Sequence, residues 1–207
     1  MKLTEPLPRR VRVGRMTYFL RPAFDRVMRA LSILGRDDLL EADRINAACR
    51  LILWPVPGRR RRAEALNAAI EALTAQPYKA SGDGPRTMDY DYDAGAIYAS
   101  FMAQYGIDLT KERGRLHWCK FQALLAGLGE DTQMMQISDI RARKLPSGAK
   151  KTQAQQIAEA RRELMRLKAI YALPVDEDAA ERRVDDGFKR LAEALLANAD
   201  IREESQG

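Results

Sequence analysis

Histidine is almost missing from this chain, with His117 the only one in 207 residues. No imidazole pair can therefore form, which removes the H-E-x-x-H arrangement and the usual mixed zinc sets. Cysteine is as scarce: Cys49 and Cys119 stand far apart. They have neither the close pairing of a metal knuckle nor the density of a secreted disulfide scaffold, so both read as reduced core residues of an intracellular protein. Long apolar runs are lacking too, the longest falling well short of the ~20 residues that cross a bilayer. The first ten residues contain Lys2, Glu5, Arg9 and Arg10, which is not the pattern of a signal peptide. Glycine-rich phosphate loops and a serine elbow are missing as well. An enzyme reading thus has no residues to rest on, and neither a cofactor nor a metal is expected.

What is present is an ordinary globular balance, 46% apolar and 31% charged residues, with the charged share a little above the usual quarter. A chain of this size buries about 70% of the surface it exposes when unfolded, so one main domain with appendages is the default. The net charge of +6 conceals a polarity. From Met1 to Arg62 fifteen Lys or Arg face six acids, a balance of +9, whereas from Pro174 to Gly207 five face ten, a balance of −5. A basic front attracts polyanions, either nucleic acid or the acidic face of a protein.

Hydrophobic periodicity predicts a mainly α, bundle-like domain with a small N-terminal β-hairpin. Val11, Val13, Thr17 and Phe19 alternate around Gly14-Arg15, a Gly-first pair suited to a tight turn, and Pro22 closes the segment. Phe24, Val27, Met28, Leu31 and Leu34 then form a helical stripe over 23–34 that Gly35 ends. A second helix is expected from about Asp38 to Leu53, with Asp37 and Asp38 at the positive end of its dipole, and Pro55 and Pro57 stop it. Arg59–Arg62 open a third, carrying Leu66, Ile70 and Leu73. Residues 76–88 concentrate Pro, Gly, Ser and Lys and read as a mobile loop.

The second half repeats the helical pattern. Ile97, Phe101 and Tyr105 precede a terminating Gly106, and His117, Phe121, Leu124 and Leu128 precede Gly129, so these two helices are expected at the centre of the core. A shorter helix runs from Asp131 to about Arg143 and ends before Pro146. A linker leads to Ile157, Ala160, Leu164, Leu167 and Tyr171, spaced as in a coiled-coil seam but over too few heptads to form one. The expected organisation is a helical domain over 1–173 and an acidic amphipathic extension over 174–207, in which Val184, Phe188, Leu191 and Leu195 share one face.

Three motifs invite chemistry. His117-Trp118-Cys119 brings imidazole, indole and thiol together, but neighbours along a helix point in different directions and a Cys–His pair at i, i+2 is poorly placed for nucleophilic work; packing is the better reading. Asp89, Asp91 and Asp93 alternate as at the start of a calcium loop, yet Ala94 and Ser100 stand where its Gly and Glu are required, so they read as the acidic start of a helix. Arg59, Arg60, Arg61 and Arg62 form the densest basic run, either a contact to an acidic partner or phosphate or simply a solvated junction. These four arginines, with Val184, Phe188, Leu191 and Leu195, are the candidate partner-binding residues.

The segments IYASFMAQYGIDL (97–109), LHWCKFQALLAGLGEDTQMMQISDIRARKLP (116–146) and LKAIYALP (167–174) resemble the bacteriophage gene-product-fifteen family of tailed phages and prophages, with a weaker likeness in the hairpin and in ILWPVP. The Tyr-Gly-Ile-Asp-Leu and His-Trp-x-Lys-Phe runs are not forced by helical periodicity. Two departures are Cys119, where a second aromatic is expected, and the acidic segment past Pro174. Members sit among tail-morphogenesis genes near the tape-measure gene. The resemblance therefore implies a tail assembly chaperone in the cytoplasm of the bacterial host, binding a tape-measure or tail tube protein through exposed helix faces, with homo-oligomerisation left open and no membrane partner. It supplies no catalytic residue. The alternatives are a structural head–tail connector or minor virion component and, third, a nucleic-acid-binding regulator using the basic N-terminal half.

Overall fold

A Gly-Arg pair turns the chain back on itself near its start. The computed structural model describes residues 4–74, 86–146 and 154–174, and in it Gly14 has φ +59°, a left-handed conformation that glycine adopts without a Cβ clash. The turn joins β1 (Arg10–Val13) to β2 (Met16–Leu20) in antiparallel register, Val11 opposite Tyr18 and Val13 opposite Met16. Side chains directly opposite share a face, so Val11, Val13, Tyr18 and Leu20 point inward and are buried, while Thr17 and Phe19 point outward. The expected hairpin forms, and its register sets Thr17 and Phe19 on the face opposite to that of Val11 and Val13. A two-residue turn pairs odd positions of the first strand with even positions of the second.

Among the described residues a third strand, β3 (Leu53–Trp54), extends the sheet in the order β1-β2-β3. It pairs antiparallel with β2, Phe19 opposite Trp54 and Leu20 opposite Leu53. Helical periodicity had assigned Leu53 to the preceding helix. The prolines at 55 and 57 end the pairing after two residues because they have no N–H to donate.

Seven α-helices follow this pattern among the described residues. They are α1 (Phe24–Leu34), α2 (Glu41–Ile52), α3 (Arg62–Thr74), α4 (Ala94–Tyr105), α5 (Trp118–Ala126), α6 (Gln133–Ala142) and α7 (Ala154–Ile170). The fold is mainly α with a small N-terminal sheet. α2 starts later than expected: Asp37 and Asp38 lie in the preceding loop, where Asp38 accepts from the Arg36 guanidinium, and Glu41 and Asp43 supply the first-turn acids. α5 is shorter than expected at both ends, since His117 caps it from outside and Gly127, not Gly129, follows its last turn. α4 ends as expected at Gly106, whose φ of +64° needs glycine.

The two halves of the helical body are clipped together where residues 22–24 meet 116–118. Phe24 N–H donates to Leu116 O at 2.9 Å and Trp118 N–H donates to Pro22 O at 2.6 Å. Around this clip the core is aromatic. Phe121 stacks on Phe24 (5.1 Å), Phe101 (5.2 Å) and Trp118 (5.5 Å), joining α1, α4 and α5. Phe101, Phe121 and Trp118 are essentially inaccessible, and burying each such side chain contributes roughly 1.5–3 kcal/mol. Polar seams finish the packing. Ser100 Oγ accepts the first-turn N–H of Met134 at 3.0 Å, and Tyr105 OH donates to Leu124 O at 2.8 Å.

Met1–Tyr171 form one compact unit and Ala172–Gly207 a second. Of the second, only 172–174 are described.

Candidate functional site

Two of the three motifs that invited chemistry, the His-Trp-Cys run and the aspartate series, are committed to holding the fold. His117 sits at the N-cap of α5: its Nδ1 accepts from Cys119 N–H at 3.1 Å, while Nε2 lies 3.1 Å from Pro8 O, a geometry that puts the proton on Nε2 as donor. Burial lowers its pKa, Arg9 and Lys120 push the same way, and the Pro8 carbonyl opposes them. Trp118 is buried in the aromatic core. The Cys119 thiol donates to Leu73 O at 3.5 Å, and that of Cys49 to Arg62 O at 3.6 Å. Burial raises both thiols above their ordinary pKa, which disfavours the nucleophilic thiolate.

The aspartate series is more consequential than the sequence suggested. Asp93 occupies the N-cap position of α4, but its side chain turns inward and meets Arg141 of α6 in a two-pronged ion pair, Nη1 to Oδ2 at 2.6 Å and Nη2 to Oδ1 at 2.8 Å. Both side chains are almost fully buried, at 7% and 4% exposure. The same guanidinium donates from Nη1 to Thr87 O at 2.9 Å and from Nε to Tyr171 O at 2.6 Å. Arg141 O in turn accepts from Lys168 Nζ at 2.7 Å. One arginine thus ties the entry to α4, the end of α6 and the end of α7.

Burial alone would raise the Asp93 pKa, but the hydrogen bonds from Arg141 and from Asp89 N–H outweigh it and hold the carboxyl below its ordinary value. Asp89 is used locally. Its Oδ1 accepts from Asp91 N–H and Tyr92 N–H, both at 2.8 Å, and its Oδ2 pairs with Arg86. This is a turn and a buried ion pair. Asp93 and Asp89 are engaged with a guanidinium and with backbone amides, not aimed at a common point.

A cleft of about 690 Å³ opens between α1, the start of α4 and the 109–113 segment. Phe24, Ile97, Leu109 and Phe121 line its floor, and Arg26, Arg29 and Arg113 stand at its rim with Asp25 and Asp91. Asp25 is held by Gly114 N–H at 2.9 Å.

The apolar stripes of α4 and α5 face inward, as expected of helices at the centre of the core. Ile97 and Phe101 of α4, Phe121 and Leu125 of α5, and Leu164 of α7 are buried, leaving Met102, Met165 and Ile170 as scattered exposed apolar residues on these helices. The concentrated apolar exposure lies elsewhere, on the outer face of the sheet. Phe19 is 52% and Trp54 56% exposed, and their ring centroids are 6.1 Å apart at a tilt of 42°. Val56, two residues beyond Trp54, is also exposed. On the adjacent strand Arg10 lies opposite Phe19 and Arg12 opposite Thr17, both exposed.

The arginine run divides. Arg59–Arg61 form an exposed 3-10 turn, whereas Arg62 begins α3, is half-buried and donates from Nε to Pro57 O at 3.2 Å. Arg59 follows Trp54 by five residues, so it lies within roughly 18 Å of it. The stripe of Val184, Phe188, Leu191 and Leu195 lies outside the described residues, as does all but the end of the 76–88 segment. Sequence reasoning missed the Phe19–Trp54 pair because it assigned no face to Phe19 and placed Trp54 in a break. The strand register was the signal needed.

No helix among the described residues is long and apolar enough to cross a membrane. A family model described as bacteriophage Gp15 protein matches residues 3–173. No curated protein and no solved structure matches the chain.

Proposed function

The chain belongs to the bacteriophage Gp15 protein family, and on that premise we propose that it is a tail assembly chaperone, holding the tape-measure protein or another tail component during virion morphogenesis. The family gives the coarser part, a phage structural or morphogenesis role outside known enzymology. A tape-measure protein is a long, largely helical apolar chain, and it needs its apolar stripes covered reversibly until the tail tube encloses it. The observation that carries the proposal is the exposed Phe19–Trp54 pair rimmed by arginines. Aromatic and Arg side chains left outside an otherwise well-packed body are the composition of a protein contact surface.

The test is co-expression of the full chain with the tape-measure protein of the same phage or prophage, followed by affinity purification and mass spectrometry of finished particles. The proposal expects co-purification, a rise in the soluble fraction of the client, and absence from virions. Retention in particles would support the structural reading of a head–tail connector or minor virion component, and failure of wild-type protein to associate would remove the chaperone.

A further inference from the structure

The sheet's outer face carries enough detail to say what kind of partner fits it. Residues 9–24 contain five arginines and residues 53–63 four, with no Asp, Glu or Lys in either segment. Contact surfaces between proteins are enriched in Trp, Phe, Met and Arg and depleted in Lys, Asp and Glu. A phosphate-binding track draws on Lys as freely as on Arg. The rings are also poorly arranged for successive bases, since a 42° tilt denies them two parallel faces, while a tilted pair forms a shallow step for an apolar side chain. Addition of a partner strand along β3 is blocked, because the edge is two residues long and continues into Pro55 and Pro57.

Width settles the shape of the occupant. Strands lie about 4.8 Å apart, so the β1 arginines stand roughly 10 Å from Trp54 across the sheet, which matches a helix about 10–12 Å across. We propose that the outer face of β1, β2 and β3 docks an acidic amphipathic helix of a partner protein, with its apolar side chains on Phe19 and Trp54 and its carboxylates toward Arg10 and Arg12. This deepens the assembly reading and rests on it only for the partner's identity in the phage.

The test titrates the full chain with three probes: a synthetic helical peptide of repeating Leu and Glu, a poly-Glu peptide, and an oligothymidylate. Binding is followed by fluorescence of the exposed Trp54, the other tryptophan, Trp118, being 1% exposed, and by calorimetry for variants lacking Trp54. The Leu/Glu peptide binds, and Phe19→Ser with Trp54→Ser weakens it by about tenfold or more, as loss of central aromatic anchors does. Arg10→Glu with Arg12→Glu weakens it by a similar factor, and binding falls as salt is raised. Far-UV circular dichroism of both variants matches wild type, since all four side chains face outward.

Three results each overturn the inference: no binding of the Leu/Glu peptide, undiminished binding by both variants, or an oligothymidylate bound more tightly than either peptide. A failed co-purification with tape-measure protein alongside positive peptide titrations would instead count against the chaperone reading alone.

Discussion

Aromatic rings and guanidinium groups are used in opposite ways in two regions of this protein. In the second half, Phe101, Trp118 and Phe121 are sealed in a column and Arg141 is closed around Asp93, so these side chains are turned toward the chain itself. On the N-terminal sheet, Phe19 and Trp54 lie beside one another at the surface with Arg10 and Arg12 on the neighbouring strand. The first arrangement specifies a shape, and the second leaves the same chemistry available to another molecule. The difference teaches that residue type alone does not separate structural from interacting groups; the face on which the register places them does.

The comparison is broken most severely at the buried pair. Asp93→Ala leaves a buried guanidinium without its counter-charge and is expected to destabilise the fold by about 3–5 kcal/mol, whereas replacing both partners by apolar residues of similar volume recovers much of that loss. Chemical denaturation of the two variants checks this. Because the folded pKa of Asp93 is depressed, its contribution is fully present above the ordinary value of 3.8 and is lost as pH falls through the lower folded value. The acid limb of the stability profile therefore flattens in the double variant.

Phe121→Ala removes the ring that joins α1, α4 and α5 and costs about 3–5 kcal/mol, read from the same denaturation curves. His117→Asn is a milder change. It keeps a side-chain acceptor for the α5 N-terminus, where loss of a cap costs about 1 kcal/mol, but removes a titrating group. Burial depresses the imidazole pKa, so wild-type protein loses this part of its stability as pH falls from 6.5 through the lower folded value; the Asn variant lacks that dependence. The smallest effect on stability belongs to Phe19→Ser with Trp54→Ser, within about 0.5 kcal/mol of wild type per site for exposed residues, together with the largest effect on partner binding.

Much of the fold was legible because helices announce themselves over many residues. The stripes of α1, α4 and α7 and the glycines at 35 and 106 required only local pattern. The strand β2 shows the limit of alternation: five residues with Thr17 and Phe19 on one phase and Tyr18 and Leu20 on the other fit either face until the turn length fixes the register. β3 was hidden because two strand residues at the end of an amphipathic helix continue its apolar pattern. Arg141 and Asp93 are 48 positions apart, and a pair separated so far leaves no periodic trace. The proposed docking face was half legible: the basic front was visible in composition, but the aromatic pair at its centre depends on a strand pairing that only the folded chain displays.

The account is tested most directly by one quantitative co-purification, comparing the tape-measure protein retained by the wild-type chain and by the Phe19→Ser, Trp54→Ser variant at equal expression and equal thermal stability. It predicts clear retention by wild type and loss by at least tenfold in the variant, in line with removal of aromatic anchors. Equal retention by the two proteins, or none by wild type, would contradict it.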